Sequence, residues 1–222
     1  PLFAQQGVTQ CGTPTGQPKF PNETYQELPD PSSPSDKDWA AVTIPQISWG
    51  TIDTRYAKHR LPQLKKQQLT TLKGWRGERV NAQAVVWTGT EVKDLNFSFT
   101  DFKDKKGNSL SDEAFKAGFI RYVMTDELNK DGRGACGHRQ AVDYDSLLVA
   151  DPIDTNLKSM SVPARTVQPI WVQCWIPQSA TPGTYKGALL VKDGSRLLQQ
   201  LNLEILVSSR ELPAPSEWAY HL

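Results

Sequence analysis

The sequence has few of the groups that usually perform chemistry: its 222 residues include three histidines, three cysteines and two methionines. A Ser-His-Asp or Cys-His arrangement would have to use His59, His138 or His221, and no GxSxG nucleophile motif is present. Without a CxxC pair, a zinc site or thioredoxin-type redox chemistry has no support. A phosphate-binding glycine loop is also lacking. We therefore expect no cofactor and no metal.

The sequence also lacks an excess of charge of one sign and any long apolar run. The 25 Lys and Arg against 24 Asp and Glu leave a net charge of +1, which argues against a nucleic-acid partner and against a general anionic-membrane binder. No apolar run approaches the ~20 residues that span a bilayer. Hydrophobic residues make up 38% of the chain. This length and composition fit one large domain with arms.

Prolines, glycines and tryptophans are plentiful, at 16, 15 and 7 residues, which favours an all-β extracytoplasmic domain. Apolar residues alternate with polar ones, the period typical of strands with one buried face. Residues 184–192 and 196–207 flank Asp193-Gly194, which predicts a β-hairpin with Leu201, Leu203, Ile205 and Val207 on its core face. The other strands are predicted over 43–53, 79–87, 95–100, 120–124 and 166–176.

Helix signals are weak. Ser111 could cap a short helix within 110–117, and a further turn is allowed near 144–150. The pattern predicts an all-β fold, an antiparallel immunoglobulin-like β-sandwich of about seven to nine strands with one or two short helices. We expect a proline-rich extended arm over 1–39, the sandwich over 40–207, and a linker over 208–222 that begins a missing catalytic barrel.

The odd number of cysteines leaves the redox state open. Cys174 alternates with Val172 and Ile176, so we expect a buried, small hydrophobic side chain. A Cys11–Cys136 disulfide could form in an oxidising compartment, but the sequence alone does not establish the Cα separation of ~5.5 Å that a bridge needs.

Residues 126–138 invite two interpretations. Glu127, Asn129, Asp131 and Gly132 have calcium-loop spacing, but His138 stands where an EF-hand needs a bidentate Glu. A polar, glycine-rich connection is favoured. The adjacent Asp126-Glu127 pair, and the aspartates at 143–154, are interpreted as loop charge because strand neighbours point to opposite faces.

The tryptophans are the candidate sugar-binding residues, because an exposed indole offers an apolar face on which a pyranose ring stacks. Trp49, Trp75 and Trp87 are the candidates, although core packing explains an aromatic side chain in a strand equally well. Trp171 and Trp175 are interpreted in the same two ways. The surface expected to carry function is the loop-rich segment 121–154. Its candidate interface or ligand residues are Arg121, His138, Arg139, Asp145, Asp151 and Asp154.

Several phrases in order resemble a known family. They include Ser48-Trp-Gly-Thr-Ile-Asp53, Gly74-Trp-Arg-Gly-Glu-Arg79, Gly134-Ala-Cys-Gly-His-Arg139 and Pro182-Gly-Thr-Tyr-Lys-Gly187. Together they resemble the N-terminal β-sandwich domain of bacterial proteins related to glycoside hydrolase family 123. The resemblance covers roughly residues 40–222, and Glu217–Leu222 looks like the segment that leads into a (β/α)₈ barrel.

The resemblance implies a parent enzyme that hydrolyses a β-linked N-acetylgalactosaminide, with its catalytic Asp-Glu pair on that barrel. No catalytic residue is carried onto this chain. The expected function is a non-catalytic domain that supports its own C-terminal catalytic domain, secreted or periplasmic in a bacterium. An N-acetylhexosamine glycan is the other expected partner. The alternative is a carbohydrate-binding module that acts through exposed tryptophans.

Overall fold

The computed structural model describes residues 27–125, 147–213 and 215–217. Within these ranges a short helix, α1 (Asp36–Trp39), precedes twelve strands, and 3₁₀ turns occupy Asp112–Ala114 and Pro215–Glu217. The strands are β1 (Gln46–Gly50), β2 (Leu69–Arg76), β3 (Arg79–Thr88), β4 (Val92–Phe99), β5 (Phe102–Lys103), β6 (Ser109–Leu110), β7 (Phe115–Thr125), β8 (Leu147–Asp154), β9 (Ser159–Val162), β10 (Thr166–Trp175), β11 (Gly183–Asp193) and β12 (Arg196–Glu211).

The strands form two sheets. Sheet A has the order β1-β3-β10-β7-β8, and sheet B has the order β2-β12-β11-β4-β9, with β5 pairing with both β11 and β6. Strand β2 runs parallel to β12, with Leu69 opposite Asn202 and Gly74 opposite Val207. The pairing of β3 with β10 and that of β11 with β12 are antiparallel.

One hydrophobic core lies between the two sheets. Sheet A contributes alternate residues of β3 and β10, and sheet B contributes Leu201, Leu203, Ile205 and Val207. Phe97 of β4 and Phe119 of β7 meet across the sheets, with ring centroids 5.0 Å apart. Period-two alternation therefore sends one face of each sheet inward, as the sequence indicates.

The predicted hairpin is confirmed. Strands β11 and β12 pair from Gly183–Val207 to Asp193–Arg196, and Gly194 in the turn has φ 59°. A positive φ costs glycine nothing because it has no Cβ, which explains why Asp-Gly stands at this position. The four residues predicted for its core face are all buried.

The all-β sandwich is confirmed, but the described residues contain more strands than the predicted seven to nine. Strand β8 occupies 147–154, so the turn expected near 144–150 is wrong over 147–150. Strand β2 was missed because its polar Thr and Lys residues hide the alternation, and backbone pairing to β12 holds it in place. Ser111 precedes only a 3₁₀ turn and makes no side-chain cap. Strand β12 runs four residues past the predicted domain end at 207.

A third layer without regular strands covers part of the outer face of sheet A. Trp39, Tyr56, Leu61 and Leu64, all from the chain that precedes β2, pack against outward-facing residues of β3 and β10. The indole nitrogen of Trp39 donates to the carbonyl oxygen of His59 at 3.0 Å. This segment gives sheet A a second apolar interface, so the start of the chain's described part belongs to the folded body.

The prediction for Cys174 is confirmed. The side chain is fully buried in the main core, and burial raises the pKa of its thiol to about 12, which keeps it protonated and unreactive. Cys11 and Cys136 lie outside the described residues. In the described ranges, no helix has the length and apolar character needed to cross a membrane.

Candidate functional site

The structure brings together some of the residues predicted in 121–154. Arg121 of β7 and Asp154 of β8 form an ion pair, with Nη1 and Oδ2 3.4 Å apart. Asp151 instead faces Arg55, with Nε and Oδ1 3.5 Å apart, and both of these side chains are about half exposed. His138, Arg139 and Asp145 lie outside the described residues, as does the calcium-type loop.

Arg121 belongs to a larger group, here called the arm cluster (Glu27, Lys58, Arg121 and Asp154). One Glu27 oxygen lies 2.7 Å from Lys58 Nζ, and the other lies 2.9 Å from Arg121 Nε. The backbone N–H of Tyr122 donates to the same Glu27 oxygen at 3.3 Å. All four side chains are 12–19% exposed, so these charges interact with limited solvent screening.

The electrostatics of the arm cluster favour a structural role over general acid–base catalysis. Burial raises the pKa of Glu27, but the hydrogen bonds and charges of Lys58 and Arg121 outweigh it, so the pKa lies below its ordinary value. Full burial, together with the charges of Glu27 and Asp30, holds the pKa of Tyr122 well above its usual range. Both groups therefore keep one protonation state near neutral pH, whereas a general acid or base needs a pKa near the working pH.

Two more acidic residues near the start of the described chain, Asp30 and Asp36, also contact basic side chains. The Nδ1 of His59 lies 2.9 Å from the carbonyl oxygen of Arg165, while its Nε2 lies 3.4 Å from Asp30 Oδ2. Asp36 pairs with the Arg165 guanidinium. Arg165 has φ 59°, a left-handed conformation that is uncommon for a non-glycine residue. The acidic residues of 27–36 thus contact basic side chains distributed along the third layer and sheet A.

The three tryptophans predicted to stack on sugars differ in their burial. Trp49 is 3% exposed in the main core, with its indole nitrogen donating to Asn202 at 2.8 Å, and Trp87 is 6% exposed beneath the third layer. Burial leaves neither indole a free face, which corrects the interpretation of these two residues. Trp75 on β2 is 38% exposed and stays a prediction.

Trp75 belongs to a partly apolar region at the end of sheet B, here called the exit surface (Trp75, Leu206 and Leu212). These residues line a hollow of about 580 Å³ with Lys73, Gly74, Glu78 and Ser208. The Arg210 guanidinium lies 5.5 Å from the Trp75 ring centroid, and Arg76 pairs with Glu211 at 3.0 Å. The exit surface lies where β12 ends.

A second exposed aromatic region lies on sheet A, beyond the third layer. We call it the tryptophan strip (Trp171, Gln173 and Trp175), three successive outward-facing positions of β10. Trp175 is 54% exposed, and the Arg79 guanidinium lies 4.9 Å from its ring centroid. The sequence could not decide whether Trp171 and Trp175 are exposed or buried. Local alternation shows which residues share a face of a strand, but not where a covering segment stops.

The described residues offer little for metal chemistry. No group of three or more His, Cys, Asp or Glu side chains in this part of the chain could hold an ion.

Comparison with known proteins identifies the relatives of this fold. A family model for the glycoside hydrolase 123 N-terminal domain matches residues 49–193. Among solved structures, a family 123 glycoside hydrolase from Clostridium perfringens, studied for glycolipid glycan hydrolysis, aligns with a TM-score of 0.62 and 20% identity. The alignment covers 78% of this chain and 29% of that chain, so this chain spans less than a third of the enzyme. At this identity the likeness shows the fold.

Two further structures are more distant. PapD-like domain 7 of human CEP192 aligns with a TM-score of 0.35 and 12% identity, over 87% of this chain and 100% of that chain. The N-terminal domain of PorA aligns with a TM-score of 0.34 and 9% identity, over 74% and 99%. Neither supports an argument. No curated protein matches the chain.

Proposed function

Because the chain belongs to the glycoside hydrolase 123 N-terminal domain family, we propose that it is a non-catalytic accessory domain that supports the catalytic domain of a glycoside hydrolase. The family match over residues 49–193 is the observation that carries this proposal. The proposed substrate of the whole enzyme is a glycan with a β-linked N-acetylhexosamine. The glycolipid glycan hydrolysis described for the Clostridium perfringens relative is consistent with this substrate class.

The exit surface is the proposed contact with the catalytic domain. Trp75 and Leu206 are large apolar side chains that remain more than a third exposed, beside Leu212, just past the end of β12. A domain that continues from this end would be close enough to bury them, and interfaces between domains commonly combine an apolar centre with a charged rim. Arg76, Glu211 and Arg210 supply such a rim.

The arm cluster supports the same function indirectly. By binding Glu27 to Lys58 and to Arg121 of sheet A, it fixes the start of the described chain to the folded body without placing a group for acid–base chemistry. A rigid sandwich can hold a neighbouring domain in one orientation. We therefore assign the arm cluster to stability and the exit surface to domain contact.

Two measurements test the proposal. The chain by itself should not hydrolyse aryl N-acetylhexosaminides, and the reading frame that encodes it should also encode a catalytic domain. In that longer protein, Trp75→Ala with Leu206→Ala should increase proteolytic cleavage after Glu211 and lower the melting temperature of the catalytic domain. Leu197→Ala, at an exposed apolar side chain near the opposite end of β12, is the matched control. Turnover by the chain alone, or an unchanged melting temperature in the double variant, would contradict the accessory function.

A further inference from the structure

The outer face of sheet A is only partly covered by the third layer. Its covered part contains Val85, Trp87 and Val167. Towards the other end of β10, the tryptophan strip remains at least partly exposed. The strip therefore begins where the apolar covering segment stops.

Strand register determines which residues surround the tryptophan strip. Trp171 lies between Gln83 of β3 and Gly118 of β7, Gln173 lies between Asn81 and Lys116, and Trp175 lies beside Arg79. Because residues in register point to the same face of a sheet, these side chains form one patch. Two indoles thus flank a central row of amide and ammonium groups.

The patch contains two hollows. The hollow beside Trp171 has a volume of about 200 Å³, and its lining includes Lys116, Gly118, Ile153 and Gln173. Gly118 has no side chain, and the carbonyl group of Asp154 and the side chain of Ile153 occupy the space beside it, so β8 forms one border of this hollow. The hollow beside Trp175 has a volume of about 860 Å³, and its lining includes Arg79, Glu113 and Gln178.

The polar groups between the indoles are arranged to bind hydroxyl groups. Gln173 Nε2 donates to Asn81 Oδ1 at 3.3 Å, which leaves a second amide hydrogen and two carbonyl lone-pair sites for other partners. Trp175 Nε1 donates to the carbonyl oxygen of Gly77 at 3.2 Å, and Arg79 lies over its ring. These contacts orient the Trp175 indole before a ligand binds.

We propose that the tryptophan strip is a binding site for a flat, β-linked oligosaccharide. Successive outward positions on a strand are ~7 Å apart, so Trp171 and Trp175 are separated by about 14 Å. An oligosaccharide can span that distance, whereas one sugar cannot. Its apolar ring faces would stack on the indoles, and its hydroxyls would bind Gln173, Asn81 and Lys116.

The chemistry of the patch favours a glycan over a protein partner. A protein interface centre is depleted of charged residues and buries contiguous apolar area. Here amide and ammonium groups lie in the row between the two indoles. The hollow beside Trp175 combines the polar Arg79, Glu113 and Gln178 with apolar residues that include Ala114, Pro177 and Leu212. Alternating ring faces and hydrogen-bonding groups match the alternating apolar faces and hydroxyl rims of a sugar chain.

Calorimetric titration of the 222-residue chain tests this inference. The probes are N-acetylchitotetraose and cellotetraose, both β-linked, against maltotetraose and N-acetylglucosamine. We expect a β-linked tetrasaccharide to bind at least about tenfold more tightly than maltotetraose or the monosaccharide. Trp175→Ala should weaken binding by about tenfold, the loss expected for one stacked ring, and Gln173→Ala should weaken it several-fold. The control Trp75→Ala, at an exposed indole on sheet B, should leave binding unchanged.

Several outcomes would overturn the inference. They are absence of tetrasaccharide binding at millimolar concentration, equal losses in Trp75→Ala and Trp175→Ala, and an unaltered affinity in Trp175→Ala. Self-association of the chain that Trp175→Ala abolishes would assign the face to a second copy instead. The titration does not depend on the accessory function, because that function is measured at Trp75 and Leu206 in a protein with a catalytic domain.

Discussion

Trp87 and Trp175 lie on the same face of sheet A, on neighbouring strands, yet one is 6% exposed and the other 54%. Both occupy outward positions in alternating strands, and both lie near a cation, Lys66 for Trp87 and Arg79 for Trp175. The difference comes from the third layer, which packs over Trp87 and does not reach Trp175. Residues distant in sequence therefore decide whether a tryptophan is core or surface.

The largest expected effect separates these two tryptophans. Trp87→Ala should lower the free energy of unfolding by about 3–5 kcal/mol, because it opens a cavity between sheet A and the third layer. Trp175→Ala should lower it by less than about 1 kcal/mol, because the side chain is already largely solvated. Urea unfolding of the three proteins measures both values. Equal losses would mean that the third layer does not bury Trp87 in solution.

A second expectation concerns the ions that hold the third layer. Glu27→Gln removes the carboxylate that faces Lys58 and Arg121 and should cost about 1–3 kcal/mol of unfolding free energy at pH 7. Glu27 has a lowered pKa in the folded protein, so its stabilisation is present above the unfolded value near 4.5 and is lost as pH falls through the lower, folded value. The difference between wild type and Glu27→Gln in urea unfolding should therefore shrink in acid.

The matched control is Asp101→Asn, which removes a carboxylate from an exposed pair with Lys103. This pair is solvent-screened, so its removal should have little effect at pH 7. If the stability difference of Glu27→Gln stayed constant from pH 7 to pH 2, the arm cluster would not be the source of the stabilisation.

The smallest expected effect is at the uncovered end. Arg79→Ala removes the guanidinium over Trp175 and should change the free energy of unfolding by about 0.5–1 kcal/mol, the usual range for an exposed cation–π contact. The emission of Trp175 should nevertheless shift, since its ring loses its neighbour. The spectral change caused by Arg79→Ala is measured once in the wild type and once in Trp175→Phe. The difference between these two changes isolates the signal of Trp175. An unchanged spectrum would contradict the contact.

Local pattern predicted much of the sandwich. Alternation in β3, β10 and β12 correctly indicated an inward face, and Asp193-Gly194 correctly indicated the hairpin, because both signals depend on neighbours in sequence. Cys174 was placed in the core by the same period. The family resemblance was confirmed over residues 49–193.

The sequence could not predict features that depend on distant residues. Strand β2 has no clean alternation and is held by parallel pairing to β12. Trp49 and Trp175 both lie in predicted strands, and only the packing of other segments determines that the first is buried and the second exposed. The arm cluster unites Glu27 with Arg121 across 94 positions, without a local motif that announces the contact.

The place of β12 in sheet B has a practical consequence for choosing a fragment to express. Strand β12 lies between β2 and β11, whereas the family match ends at 193, before β12 begins. A fragment cut to the matched residues would leave β11 with an open edge and β2 without its partner. Open edges of this kind promote aggregation. During synthesis, sheet B likewise cannot close until β12 has left the ribosome, so the smallest self-sufficient unit extends to Glu211.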